Sequence, residues 1–172
     1  MKRFLVALIL VISCFVLQTT VFQWISFGGI VPNILIILTS TYGFMRGDKT
    51  GLILGLFSGL LVDIFFGSFI GFNALLYMYI GYLNGKFHKV FYEEDIKLPI
   101  ILFVCSDLLY GFLYYIIMFL LRGRFEFSFY FTNIILPELV YTILSSLLFY
   151  PLFLLLHKWL DKKDDRRGMR YV

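Results

Sequence analysis

The sequence predicts an all-α integral membrane protein with six transmembrane helices and both termini inside the cell. Three observations carry this. First, 60% of the 172 residues are hydrophobic and only 15% are charged, where an average soluble domain is near half apolar and a quarter charged. Second, the apolar residues come in about six runs, each approaching the roughly 20 residues that cross a bilayer core. Third, the basic residues alternate along the chain, crowded in some connecting segments and scarce in others. The runs consume most of the chain, which reads as one membrane domain over residues 1–156 with a basic cytoplasmic tail over 157–172.

The first span is expected at 4–22, behind Lys2-Arg3, with Gln23 and Trp24 marking an interface where tryptophan is favoured. The second is expected at 30–45, with Pro32 in its first turn. Arg46 to Thr50 reads as a tight polar turn before the third span at 51–67. Ser68 to Gly71 reads as a turn or break, and a short fourth span follows at 71–83. The segment from Asn84 to Lys97 reads as a polar loop, whose Phe87, Val90, Phe91 and Tyr92 suit the membrane surface. The fifth span is expected at 98–121, closed by Arg122-Gly123-Arg124, and the sixth at 131–156. The charged tail beyond it is expected to fray.

Orientation follows from the charges. With the N-terminus inside, the inner segments hold 13 of the 15 Lys and Arg residues, and the outer ones hold only Arg122 and Arg124. This is the bias of an N-in, C-in protein, and it accounts for the net charge of +4 without nucleic acid. The tail could also touch anionic lipid headgroups. Cys14 and Cys105 both fall inside apolar runs, which argues against a disulfide framework or a metal site. Val11-Ile12-Ser13-Cys14 has the look of a lipoprotein cleavage box, but the apolar run continues beyond it, so a retained helix is expected.

The third span carries the most information. Gly51, Gly55 and Gly59 stand four apart, and Asp63 continues the series. Residues four apart lie nearly on one helix face, so the glycines make a bare groove about 12 Å long. Lipid gives helices no hydrophobic drive to associate, and close backbone approach must supply it. The groove is thus a place for another helix to cross, either one of this chain or one of a partner.

Three acids lie inside expected spans: Asp63, Asp107 and Glu138. A carboxyl group at membrane depth costs about 2.5–3.5 kcal/mol on insertion scales, and is a candidate functional site by default. No Lys, Arg or His falls inside a span to pair with them. Their expected partners are Asn33, Asn73, Asn133, Ser58, Ser106, Tyr77, Tyr79, Tyr110 and Tyr141, and one or more of the acids is expected to be protonated and to donate a hydrogen bond. Helical rise puts Asp63 about 18 Å from the inner start of its span and Asp107 about 13 Å along its own. Asp63, Asp107 and Glu138, with Asn73, therefore form either a latch that pins helices together or an outward-facing polar pocket.

Little in the chain suggests catalysis. There is no His-Glu-x-x-His, no Gly-x-Ser-x-Gly and no phosphate-binding loop. His88 and His157 are expected in an inner loop and the tail, apart from the acids. The contexts of Asp63 and Asp107 do not match an aspartyl intramembrane protease. No catalytic residue, metal or cofactor is expected.

Taken together, several features resemble the MreD family of rod shape-determining proteins. They are the basic start before span one, Pro32-Asn33 at span two, and Gly51-x3-Gly55-x3-Gly59-Leu-Leu-x-Asp63. Gly67, then Gly71-Phe-Asn-Ala-Leu-Leu, then Gly81-Tyr82-Leu83 complete the likeness. The resemblance implies a multi-pass protein of the bacterial plasma membrane. It implies a non-catalytic scaffold of the cell-elongation machinery, working with MreC most directly. MreB, RodA and a class B penicillin-binding protein are the further implied partners, in support of lateral peptidoglycan synthesis and rod shape. It also implies a fold similar to the substrate-binding subunits of energy-coupling-factor transporters. That kinship leaves a second function open, a substrate-binding subunit for a vitamin or metal with an outer-facing pocket. Membrane lipids are expected around the chain, and nucleic acid is not.

Overall fold

The structure, a computed structural model, describes residues 2–26, 29–67, 69–90, 97–119 and 127–168. Its regular elements are all helices: α1 (Lys2–Thr19), α2 (Val21–Trp24), α3 (Ile34–Arg46), α4 (Asp48–Phe66), α5 (Phe72–Lys86), α6 (Lys97–Met118), α7 (Phe127–Tyr130) and α8 (Leu136–Gly168). A short 3₁₀ turn follows α5 at Phe87–Val90, and a π-helical turn at Phe131–Ile135 joins α7 to α8. Four stretches are long and apolar enough to cross a membrane: Leu5–Trp24, Asp48–Phe66, Lys97–Met118 and Phe127–Trp159. The two other main helices, α3 and α5, have 13 and 15 residues, which at 1.5 Å per residue is about 20 and 22 Å.

The shortness of α3 has a structural reason. It touches α1, α4, α5, α6 and α8, and every residue from Ile34 to Met45 is buried. A helix apolar on all sides belongs inside other helices, and α3 is the axis around which the rest of the chain is wrapped. Asn33 is its N-cap, accepting a hydrogen bond from the Ile36 backbone N–H at 3.3 Å. Pro32 therefore precedes the cap and lies outside the helical turn in which it was expected. At the far end, His88 Nδ1 donates to the Phe44 carbonyl at 3.0 Å, satisfying one of the carbonyls that a helix C-terminus leaves open.

The turn expected over Arg46 to Thr50 is narrower. Gly47 alone makes it, at φ +92°, a left-handed conformation that glycine adopts without steric cost. Asp48, Lys49 and Thr50 already belong to α4. α5 likewise runs on through Asn84, Gly85 and Lys86, residues expected in a loop. Their polarity suggested a turn, but Asn84 is buried between α3 and α6, where its amide donates to Ser40 Oγ at 3.3 Å and Ser106 Oγ at 2.7 Å. α8 continues through His157 into the segment expected to fray, ending at Gly168, and His157 is buried on it. Cys14 is buried within α1. Trp24 is 93% exposed, as an interface anchor would be. The outer loop around Arg122 and Arg124, residues 91–96 of the inner loop, and Ser68 lie outside the described residues.

Candidate functional site

The buried residues of α4 are Gly51, Leu54, Gly55, Ser58, Gly59 and Asp63, one stripe at helical spacing. α5 lies in this stripe, antiparallel to α4. A Cβ added at Gly55 would meet the Tyr77 carbonyl group and stand 2.8 Å from Met78 Cα. One at Gly59 would strike Asn73 O and the backbone of Ala74. One at Gly51 would strike Gly81 O and lie 2.7 Å from Gly43 Cα. The contacts are backbone on backbone, so no side-chain rotation relieves them. The groove is therefore filled by this chain's own helix, along its length.

The seam has a second side that the sequence reading did not assign. Gly81 and Gly85 on α5 face Gly51 and Asp48 of α4, and Gly43 on α3 faces Gly81. Small residues on three helices thus converge at the inner end, where α3, α4 and α5 approach most closely. Each buried glycine costs a helix about 1 kcal/mol in intrinsic propensity, and close packing of backbones offsets this where lipid supplies no other drive.

Asp63 closes the outer end of the seam. α4 stops at Gly67, whose N–H bonds the Asp63 carbonyl at 3.0 Å. The chain then reverses through Gly71, at φ +101°, and starts α5 beside the Asp63 side chain. Gly71 has no side chain to cap α5, and a helix start leaves its first N–H groups without partners. Asp63 supplies the cap from the neighbouring helix. Its Oδ2 accepts from the Gly71 and Ala74 backbone N–H groups at 2.9 and 3.0 Å. Its Oδ1 accepts from the Asn73 backbone N–H and side-chain amide, both at 3.0 Å. An acid at a helix N-terminus also faces the positive end of the helix dipole. Asp63 is thus an acceptor on both oxygens, and the donating role expected of the buried acids does not apply to it.

Asn73 carries the contact onward, its Oδ1 accepting from Tyr110 Oη on α6 at 3.0 Å. The Tyr110 ring packs edge-on against Tyr77, with centroids 5.4 Å apart, and Tyr77 Oη donates to Asn33 Oδ1 at 2.7 Å. The Asn33 backbone N–H donates to Thr142 Oγ1 on α8 at 3.1 Å. Thr142 also faces Asp107 of α6, and the Asn33 side chain faces Glu138 of α8. Of the four residues expected as latch or pocket, Asp63, Asn73 and Asp107 are buried and Glu138 is half-buried, and all four lie along one polar cluster that ties α4, α5, α6 and α8 to the start of α3.

Of the expected partners, Asn33, Asn73, Tyr77 and Tyr110 are members of the cluster. Ser58 and Ser106 are buried deeper, bonded to Thr39 and Asn84. Tyr79 is exposed, Asn133 bonds the nearby Phe129 carbonyl, and Tyr141 donates to the Ile25 carbonyl. Thr142 is the member that sequence reasoning missed, and Asn84, bonded to Ser40 and Ser106 apart from the cluster, is a second buried polar residue it missed. Among the described residues no group of three or more His, Cys, Asp or Glu is placed to hold a metal ion.

A seam of glycines ending in an acid that caps the next helix is the structural form of the Gly51-to-Leu76 motif. The model of the family described as rod shape-determining protein MreD matches residues 1–160. The chain belongs to the MreD family. No curated protein and no solved structure matches it. Membership assigns the chain to rod shape determination, and its four long apolar helices are those of a membrane protein. In this MreD-family chain, the motif residues hold the molecule together.

Proposed function

We propose that this protein is a non-catalytic scaffold of the bacterial elongation machinery, crossing the plasma membrane six times with both termini inside, and that it binds MreC through a face other than the glycine seam. Four long apolar helices plus the shorter α3 and α5 give an even number of crossings. An even number keeps the basic tail on the same side as Lys2 and Arg3, as the charge bias asks. In the fold, Arg46, Lys49, Lys86 and Lys89 all lie at one end, that of the Gly47 turn and the end of α5. Asp63 and the N-terminus of α5 lie at the other.

One observation carries the choice of surface. α5 fills the seam, whereas an apolar groove of about 680 Å³ stays open between Ile25 and Ile30 and the face of α8 formed by Leu136, Pro137, Val140, Tyr141 and Leu144. A groove between helical elements suits a single transmembrane helix packed by van der Waals contact, and MreC is the bitopic partner that the family implies. MreB, RodA and the class B penicillin-binding protein would then be reached through MreC or through other faces. The test is co-purification with MreC from membranes. Val140→Trp and Leu144→Trp should leave a folded, membrane-inserted protein that no longer retains MreC. Retention at the wild-type level would refute the groove as the seat.

A further inference from the structure

Two turns at one end of the bundle bring together basic residues that are far apart in the sequence. Arg46 closes α3 and Lys49 lies in the first turn of α4, on either side of Gly47. Lys86 closes α5, and Lys89 belongs to the 3₁₀ turn after it. The two stretches touch through their backbones. A Cβ at Gly85 would strike Asp48 Cα and N, and one at Gly47 would stand 3.7 Å from the His88 ring. His88 pins the 3₁₀ turn in place through its bond to the Phe44 carbonyl at 3.0 Å. Lys49, Lys86 and Lys89 are exposed, and Arg46 is half-buried. Lys86 Nζ lies 4.6 Å from the centre of the Tyr82 ring, a cation–π contact that positions the ammonium without neutralising it. Asp48 is the one acid within residues 46–49 and 85–89, and its Oδ1 accepts from the Lys49 backbone N–H at 2.8 Å. Four basic side chains thus share a rim with one carboxylate, and Phe87, 47% exposed, stands between Lys86 and Lys89.

Helix ends lie where a bilayer presents its headgroups, and cations beside an exposed aromatic ring match that boundary. Each basic residue near an anionic membrane surface contributes about fivefold in affinity. A zwitterionic headgroup carries the same phosphate but adds its own cation, which this rim repels. We propose that the rim formed by Arg46, Lys49, Lys86 and Lys89 binds the headgroup phosphate of an anionic phospholipid, with Phe87 entering the acyl boundary beside it. The proposal rests on the six-crossing arrangement above, which sets this rim at the inner membrane surface. One lipid so held bridges the α3–α4 turn and the end of α5.

The test uses the full chain purified in a neutral detergent and titrated with phosphatidylglycerol, phosphatidylcholine or inorganic phosphate. Lipid adducts are counted by native mass spectrometry, and the melting temperature is followed alongside. Phosphatidylglycerol should bind and raise the melting temperature, and the other two should do neither. Replacing Lys49, Lys86 and Lys89 together by Gln should weaken binding roughly a hundredfold, while replacing the same three by Arg should preserve it. Replacing three tail lysines, Lys158, Lys162 and Lys163, by Gln should also preserve it. Equal loss in the rim and tail variants, or an equal response to inorganic phosphate, overturns the proposal. Glu93, Glu94 and Asp95 follow in the sequence, outside the described residues. If they satisfied the cations instead, the wild type would not bind phosphatidylglycerol, and that result also overturns it. Binding in detergent does not depend on which leaflet the rim faces, so a failure of the six-crossing arrangement shows separately, in reporter fusions at Val172.

Discussion

Replacing Asp63 tests whether the outer end of the seam is held as described. In Asp63→Ala the N–H groups of Gly71, Asn73 and Ala74 and the Asn73 amide all lose their acceptor. Asp63 is 1% exposed, so water does not simply replace it. A buried donor left unsatisfied costs about 1–3 kcal/mol, while loss of an ordinary N-cap side chain costs about 0.5–2 kcal/mol. Gly71 is only part-buried and some relaxation will occur, so the expected loss is roughly 3–5 kcal/mol. For a chain of this length each kcal/mol moves the melting temperature by about 2–4 °C, giving a fall of at least about 6 °C. Asp63→Asn keeps one acceptor oxygen but sets an NH₂ against two of the N–H donors, and should lose about half as much. The assay is thermal unfolding of the purified protein in a mild detergent, followed by monodispersity on gel filtration. If both variants melt within about 0.5 kcal/mol of wild type, the range of an exposed substitution, the capping account is wrong.

Other consequences follow from the same geometry. Gly55→Ala places a Cβ against Tyr77 and Met78 backbone and should destabilise by about 2 kcal/mol or more through overpacking, whereas Ile53→Ala on the exposed face of α4 should stay near wild type; melting curves of the pair decide it. Tyr77→Phe removes the bond to Asn33 Oδ1, an oxygen that still accepts from Ile36 N–H, so the loss should be near 1 kcal/mol. A double-mutant cycle with Asn33→Ala should show coupling, and strict additivity would exclude the contact. If the proposed six-crossing, N-in and C-in arrangement holds, fusions at Val172 should give fluorescent green fluorescent protein and inactive alkaline phosphatase; an active phosphatase would remove it.

What the sequence made legible was set by how local each signal is. The four-residue spacing of Gly51, Gly55, Gly59 and Asp63 lies within one helix, so the bare face and the acid at its end could be read directly. The facing half, Gly81 and Gly85 with Gly43, depends on how α3 and α5 are placed, and nothing in their own spacing announces it. The buried acids were conspicuous because a carboxyl in an apolar run is expensive. Their joining through Asn33 and Thr142, 109 residues apart, is a tertiary fact. Thr142 gave no signal because a threonine in an apolar helix commonly bonds its own backbone. Asn84 misled because Asn-Gly-Lys has the composition of a turn, while in the fold Gly85 packs on Asp48 and the amide serves two neighbouring helices. The apolar runs end at Leu83 and Leu156, and α5 and α8 both continue past them.

In the proposed arrangement the molecule closes its own glycine seam and meets MreC through the open groove on α8. Site-specific photocrosslinking in living cells addresses it directly, with the probe at Leu144 in the groove or at Ile53 on the outward face of α4. The account predicts an adduct with MreC from Leu144 and none from Ile53. An adduct from Ile53 with none from Leu144 would contradict it.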